Sequence, residues 1–179
     1  MAEAFSNSLT RAAGIVTTST SGSIGVTTNL ITGISTSLVS VNDLVDTQHF
    51  IAGSRVSSIG AGEVVVDRDS TNTASASSQN VKFLGMTTAY TSSTGVKSIL
   101  IGGTFANNTG NQVNLTVEVN DNSSGITAAL ASNIPVPSGS SFVISDTGKT
   151  VLEGDDQIRV YCDVANAIDV NLSILTGVS

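Results

Sequence analysis

His49 is the chain's single histidine and Cys162 its single cysteine. Nucleophilic hydrolysis through a Ser/His/Asp or Cys/His arrangement would have to use that one imidazole. His49 stands beside Phe50 in a strand-like stretch, and no Gly-x-Ser-x-Gly elbow accompanies it. A packed or surface histidine is therefore the expected reading. Cys162 alternates with Ile158, Val160 and Val164, which places it on an apolar strand face, where free cysteine behaves as a small hydrophobe.

The carboxylates offer a different chemistry. Glu153, Asp155 and Asp156 cluster around Gly154, Asp67 and Asp69 flank Arg68, and Asp43 lies close to Asp46. Calcium takes several hard oxygens from a flexible loop, so Glu153, Asp155 and Asp156 are the calcium candidates. None of these clusters matches an EF-hand loop, and a Gly-Asp turn entering an apolar strand is an ordinary connection; the solvated turn is preferred. A paired-carboxylate glycosidase needs aromatic residues to stack sugars, yet the chain has no Trp, and its tyrosines are Tyr90 and Tyr161. Gly102-Gly103 lies inside a strand pattern, where glycine marks a bulge or a close backbone approach rather than a phosphate loop. The residues predict no catalytic site, no cofactor and no enzyme.

Composition sets the class of partner. The net charge is −7 with seven basic residues in 179, too few for the Lys/Arg patch that phosphate binding requires. Nucleic acid and anionic membrane surfaces are excluded on the same ground. No segment is long and apolar enough to span a bilayer, and the N-terminus lacks the basic start and apolar stretch of a signal peptide, so synthesis and assembly in the cytoplasm are expected. The Asn-x-Ser/Thr sequences at Asn107, Asn114, Asn122 and Asn171 carry little meaning without secretion. Cys162 has no cysteine to pair with inside the chain.

The elements that must position any site are strands. Val and Ile dominate the apolar fraction, helix formers are scarce, and the mean hydropathy is positive, at +0.26, which argues against disorder. Residues 1–20 read as an N-terminal arm: Phe5, Leu9, Ala12 and Ala13 have rough helical spacing, with Ser6 as the cap, in a stretch too short to stand alone. Residues 21–85 read as a small β-unit with strands at 23–28, 30–34, 49–51, 55–59, 63–66 and 79–84, and a loop or exposed edge at 69–78. Residues 86–179 read as an antiparallel β-sandwich, jelly-roll or Ig-like. There Val113, Leu115, Val117 and Val119 alternate with Asn114, Thr116 and Glu118, Ile158 to Val164 alternate with Arg159, Tyr161 and Asp163, and Ile168, Val170, Leu172 and Ile174 alternate with polar residues. Period-two patterning predicts strands with one wet and one buried face. Ile99, Ile101 and Phe105 are expected on one face. Turns are predicted at Asn107-Asn108-Thr109-Gly110, Asp121-Asn122-Ser123-Ser124-Gly125, Pro137-Ser138-Gly139, Asp146-Thr147-Gly148 and Glu153-Gly154-Asp155.

Three segments of the second half carry a resemblance: Ile99-Leu100-Ile101-Gly102-Gly103-Thr104-Phe105-Ala106-Asn107-Asn108, Asn133-Ile134-Pro135-Val136-Pro137-Ser138-Gly139-Ser140-Ser141-Phe142 and Leu152-Glu153-Gly154-Asp155-Asp156-Gln157-Ile158. This half resembles small β-sandwich proteins of tailed-bacteriophage particles, most of all virion structural proteins of T4-like cyanophages. The first half, with Val41-Asn42-Asp43-Leu44-Val45 and Ile51-Ala52-Gly53-Ser54-Arg55-Val56-Ser57-Ser58-Ile59-Gly60, is similar to a small β-unit of phage fibre and appendage proteins. The resemblance implies a virion location and a structural role as a head decoration, neck or tail appendage. It implies other virion proteins and copies of this chain as partners, with a trimer preferred, and it brings no catalytic residue. The other function it implies is a receptor- or glycan-binding module of a tail fibre. The arm, through Phe5 and Leu9, is the expected interface, and removing residues 1–13 is expected to leave the sandwich folded.

Overall fold

The structure is a computed structural model and describes residues 3–145 and 149–178. Met1 and Ala2 of the expected arm, and the turn expected at Asp146-Thr147-Gly148, lie outside them. The described residues contain no helix. Strand β1 (Ala4–Ala13) is followed by β2 (Ile15–Ile24), β3 (Leu30–Thr32), β4 (Leu44–Asp46), β5 (Val56–Gly60), β6 (Glu63–Val66) and β7 (Ala76–Gly85). Then come β8 (Thr87–Thr91), β9 (Lys97–Asn107), β10 (Val113–Asp121), β11 (Ile126–Val136), β12 (Ser141–Ile144), β13 (Thr150–Leu152), β14 (Gln157–Cys162) and β15 (Ile168–Val178).

The chain forms two compact units, one made of Met1–Gly14 with Thr87–Ser179 and the other of Ile15–Met86. The smaller unit is thus inserted, in sequence, between the first and second strands of the larger. This corrects the expected arm. Residues 4–13 are a strand, not a helix-prone tail, and they pair antiparallel with β15, with Phe5 opposite Leu175 and Leu9 opposite Asn171. Residues 15–20 belong to β2 of the inserted unit. β1 has no apolar alternation because only Ala13 is buried. Backbone pairing holds it, and Ser8 Oγ donates to the Ala89 carbonyl of β8 at 2.9 Å. The chain leaves the larger unit at Gly14. Its φ is +120°, and a Cβ there would stand 2.5 Å from the Val164 carbonyl oxygen, so only glycine fits.

The inserted unit is a six-stranded antiparallel sheet in the order β4-β7-β2-β3-β6-β5. Its two end strands meet. Leu44 bridges Arg55, Val45 N donates to Ser54 O at 2.8 Å, and Val56 N donates to Asp43 O at 2.9 Å. The sheet closes on itself, which removes free edges that would otherwise template aggregation. Ile24, Ile31, Val45, Val64, Val81 and Phe83 fill the interior. The strand expected at 49–51 is absent: Phe50 is buried, but its backbone N–H bonds locally to Thr47 O, and residues 52–53 turn.

The larger unit is a β-sandwich. One sheet has the order β1-β15-β9-β12, with β13 also on β9; the other has the order β11-β10-β14-β8. Leu115, Val117, Ile158, Val160, Leu172 and Ile174 are buried in one core, and Phe105 meets Phe142 with ring centroids 6.1 Å apart. Two expectations about faces fail. Ile99 and Phe105 point to opposite sides, because the β9–β15 register slips between Ile174↔Leu100 and Ser173↔Gly102, and a bulge inverts the alternation. Thr116, Glu118 and Tyr161, expected on a wet face, are buried. β11 is bulged against β10 and brings Asn133 N onto Thr116 Oγ1 at 3.0 Å, part of that cover.

Val160 is fully buried between β10 and β8. Val160→Asp is expected to destabilise the larger unit by about 3 kcal/mol or more, since it buries an unpaired carboxylate. Removing residues 1–13 is expected to lower the unfolding midpoint, against the expectation for a detachable arm. Denaturant titration followed by circular dichroism checks both; an unchanged midpoint in either variant contradicts the strand assignment.

Candidate functional site

His49 is buried in the inserted unit, with both ring nitrogens against side-chain amides. Nδ1 lies 2.6 Å from Asn72 Oδ1, and Nε2 lies 2.9 Å from Gln79 Oε1. Neither contact is the hydroxyl or carboxylate of a hydrolytic triad. The His49 carbonyl accepts from Thr71 N at 2.9 Å, so the residue ties two loops together. Cys162 is buried in the sandwich core, and burial pushes its thiol up to about 11, with the neighbouring Asp163 carboxylate adding to the effect. A thiol held protonated at neutral pH is a poor nucleophile.

The three calcium candidates are adjacent in sequence but aimed apart. Asp156 is 3% exposed; its Oδ1 accepts from Asn122 N at 3.0 Å and its Oδ2 from Glu153 N at 2.9 Å. Asp155, at φ +71°, accepts from the Thr94 hydroxyl at 2.7 Å. Glu153 reaches Lys97 Nζ at 3.0 Å on the surface. Among the described residues no group of three or more His, Cys, Asp or Glu side chains is placed to hold one ion. The arrangement is a knot that fastens the loops at residues 92–96, 121–125 and 153–156.

One carboxylate of each other expected acidic pair is also a loop fastener. Asp67 Oδ1 accepts from Arg55 N at 2.8 Å. Asp43 Oδ2 accepts from Ser40 N at 2.8 Å, while burial raises its pKa. The Asp121 carboxyl is held down to about 2, chiefly by the Ser124 backbone N–H and the Ser123 hydroxyl of its own turn. Its contribution to stability is present above the ordinary value of 3.8 and is lost as the pH falls through 2. Asn107, the first of the Asn-x-Ser/Thr sequences, is buried, and its amide nitrogen donates to Val136 O at 2.9 Å and Asn111 O at 2.8 Å. It joins the ends of β9 and β11 and is no acceptor for a sugar.

What the larger unit does present is a face. On β15, Val170, Leu172 and Ile174 point into the core, so Asp169, Asn171, Ser173 and Leu175 point out. The registers extend these positions across the sheet. Phe5, Leu175, Ile99 and Val151 form one row over four strands. Leu9, Asn171, Thr104 and Val143 form another. Phe5 is 78% exposed, Leu9 73%, Val143 55% and Val151 55%. A shallow groove of about 390 Å³ crosses this face between Leu9, Arg11, Thr104, Ala106, Asp169 and Asn171. A second groove, of about 450 Å³ on the inserted unit, is lined by Ser23, Thr28, Thr32, Ser75, Ser77 and apolar neighbours, and it holds no charged or aromatic side chain.

The sequence singled out Phe5 and Leu9 as an interface on an arm; the structure exposes both, on an edge strand of a sheet. Val143 and Val151 were missed, because in strands of four and three residues the pattern does not say which face is outward. Compared with family models, curated proteins and solved structures, the chain matches none.

Two measurements follow. Asp156→Ala is expected to destabilise by about 2 kcal/mol, because it removes the buried carboxylate that the Asn122 and Glu153 backbone N–H groups bond to. Glu153→Ala, an exposed ion pair, is expected to change stability by less than about 1 kcal/mol. Added calcium should shift neither melting curve; a calcium-dependent rise in the unaltered protein alone would restore the metal reading. Cys162 should resist iodoacetamide at pH 8 in the native protein and react once it unfolds. Since its folded pKa is raised, its contribution to stability is fully present below the ordinary value of 9.0 and is lost as the pH rises toward 11.

Proposed function

We propose that this chain is a non-enzymatic structural component of a bacteriophage particle, attached to the head exterior or to the neck or tail, where it contacts neighbouring virion proteins. The observation that carries the reading is the outer face of the β1-β15-β9 sheet. The row of Phe5, Leu175, Ile99 and Val151 is apolar across four strands, and a contiguous apolar stretch facing water marks a surface made to be covered. His49, Asp43, Asp67 and Asp156 are engaged in holding loops, and Cys162 is packed in the core. A structural part needs area, rigidity and self-consistency rather than a cleft, and a sandwich with a closed, inserted β-ring supplies these. The resemblance of the turn-and-strand segments to cyanophage virion proteins supports the particle as the assembly.

The glycan-binding reading loses its handles. Tyr161 is buried, and the Tyr90 hydroxyl lies 3.0 Å from Ser98 Oγ within the sandwich. Neither ring is free to stack on a sugar.

Antibody against the chain should label purified particles at fixed positions, and the chain should be present in them at constant stoichiometry. A Phe5→Asp, Leu9→Asp double variant should fold with an unchanged melting curve, since both side chains are exposed, yet fail to enter particles. Normal incorporation of that variant would overturn the face as the contact surface. Catalytic turnover that disappears in folded Asp155→Asn, Asp156→Asn protein would overturn the structural reading itself.

A further inference from the structure

Rows of exposed apolar side chains do not say what covers them, but their charge and area do. The five strands β1, β9, β12, β13 and β15 contain three charged residues, Arg11, Lys97 and Asp169. Two cations and one anion give +1, in a chain whose net charge is −7. Most copy-to-copy approaches set negative surface against negative surface; an approach through this face does not.

Asn7 and Ser173 lie between the two rows and Asn171 and Thr104 in the middle of the second, and Ser173 Oγ already lies 3.5 Å from Asn7 Oδ1. Amides and hydroxyls both donate and accept, so such a face is complementary to itself. A single-sign patch would not be. Self-complementarity is what an isologous twofold contact demands, with the same patch on both sides.

The area is also right. β9 and β15 each have eleven residues. With the ten of β1, the four of β12 and the three of β13, the face holds 39 residues, which at ~3.3 Å per residue and ~4.8 Å between strands cover about 600 Å², comparable with the roughly 800 Å² per partner of a standard stable interface.

We infer that the outer face of this sheet is covered by the same face of a second copy of the chain, two sandwiches packing sheet to sheet about a twofold axis. The inference rests on the structural-component reading and names the partner of that surface. It departs from the trimer that the phage resemblance implies. The rival surface is β11, an edge strand of eleven residues without a single charge, on which Ile126 and Leu130 are exposed. Edge strands lacking charged guards pair readily with other strands, so β11 serves as the control.

Sedimentation velocity of the full chain at about 50 µM, well above the Kd range of specific protein pairs, decides the matter. The unaltered protein is expected to run as two 18.1 kDa chains. Leu9→Lys and Val151→Lys, each at an exposed site on the face, are expected to run as single chains that keep the far-ultraviolet circular dichroism of the folded protein and melt somewhat lower, because they lack the stabilisation that pairing gives. Leu130→Lys is expected to stay paired. A single-chain or three-chain mass for the unaltered protein overturns the inference, as does splitting by Leu130→Lys with Leu9→Lys still paired. A single chain in solution that nevertheless labels on particles would sink self-pairing alone and leave the face to a neighbouring virion protein.

Discussion

Strand β15 is hydrogen-bonded on both sides, to β1 and to β9, and the sandwich depends on that double pairing. The residues available make this necessary. With no Trp, two Tyr and five Phe, the core has few large side chains, and its apolar filling is mostly aliphatic. The backbone ladders therefore carry much of the specificity. Side chains reinforce them at the places where register could slip: the Thr176 hydroxyl donates to Ala4 O, Asp169 Oδ1 accepts from Ala12 N beside the bulge that ends β1, and buried Asn107 crosses from β9 to β11. β1 adds almost nothing to the core. It converts the unpaired margin of β15 into a paired one, and it sets Phe5 and Leu9 beside Leu175 and Asn171 on the outer face.

The parts of the fold legible in the sequence are those whose strands see water on one side or obey strict alternation. β10, β14 and β15 are readable as strands from Val113 to Val119, Ile158 to Cys162 and Ile168 to Ile174. β6 is readable as a short apolar run. β1 was not, because a strand that pairs without burying side chains leaves no period-two signature in Phe5, Asn7, Leu9 and Arg11. β11 was not, because two register shifts break its alternation. The face inversion in β9 comes from one extra residue near Ile101, which depends on its partner strand and not on local sequence. The closure of the inserted ring rests on long-range bonds near Leu44 and Arg55 that local pattern does not encode.

The candidate site divides the same way. Phe5 and Leu9 stood out as large apolar residues in a polar stretch, but their spacing pointed to a helix-prone arm and not to the strand that exposes them. That His49 and Cys162 are packed side chains was legible from their isolation and from the apolar alternation around Cys162. That Asp156 is a buried fastener while Asp155 is half-buried and Glu153 exposed was not, since four consecutive acidic or glycine positions look alike until a turn points each one somewhere different. The face itself is a property of register between distant strands, and no local window contains it.

The pairing of β1 with β15 has a consequence for synthesis. Thr176 and Ala4 lie 172 residues apart in sequence, so β1 leaves the ribosome long before its partner exists. The inserted ring, whose contacts lie within residues 15–86, can close while the rest is still being translated. Domains commonly fold in this order as they emerge. The outer face cannot form until β15 has been made. A translation product that stops short of β15 can hold a finished ring, but it cannot display the outer face of the β1-β15-β9 sheet.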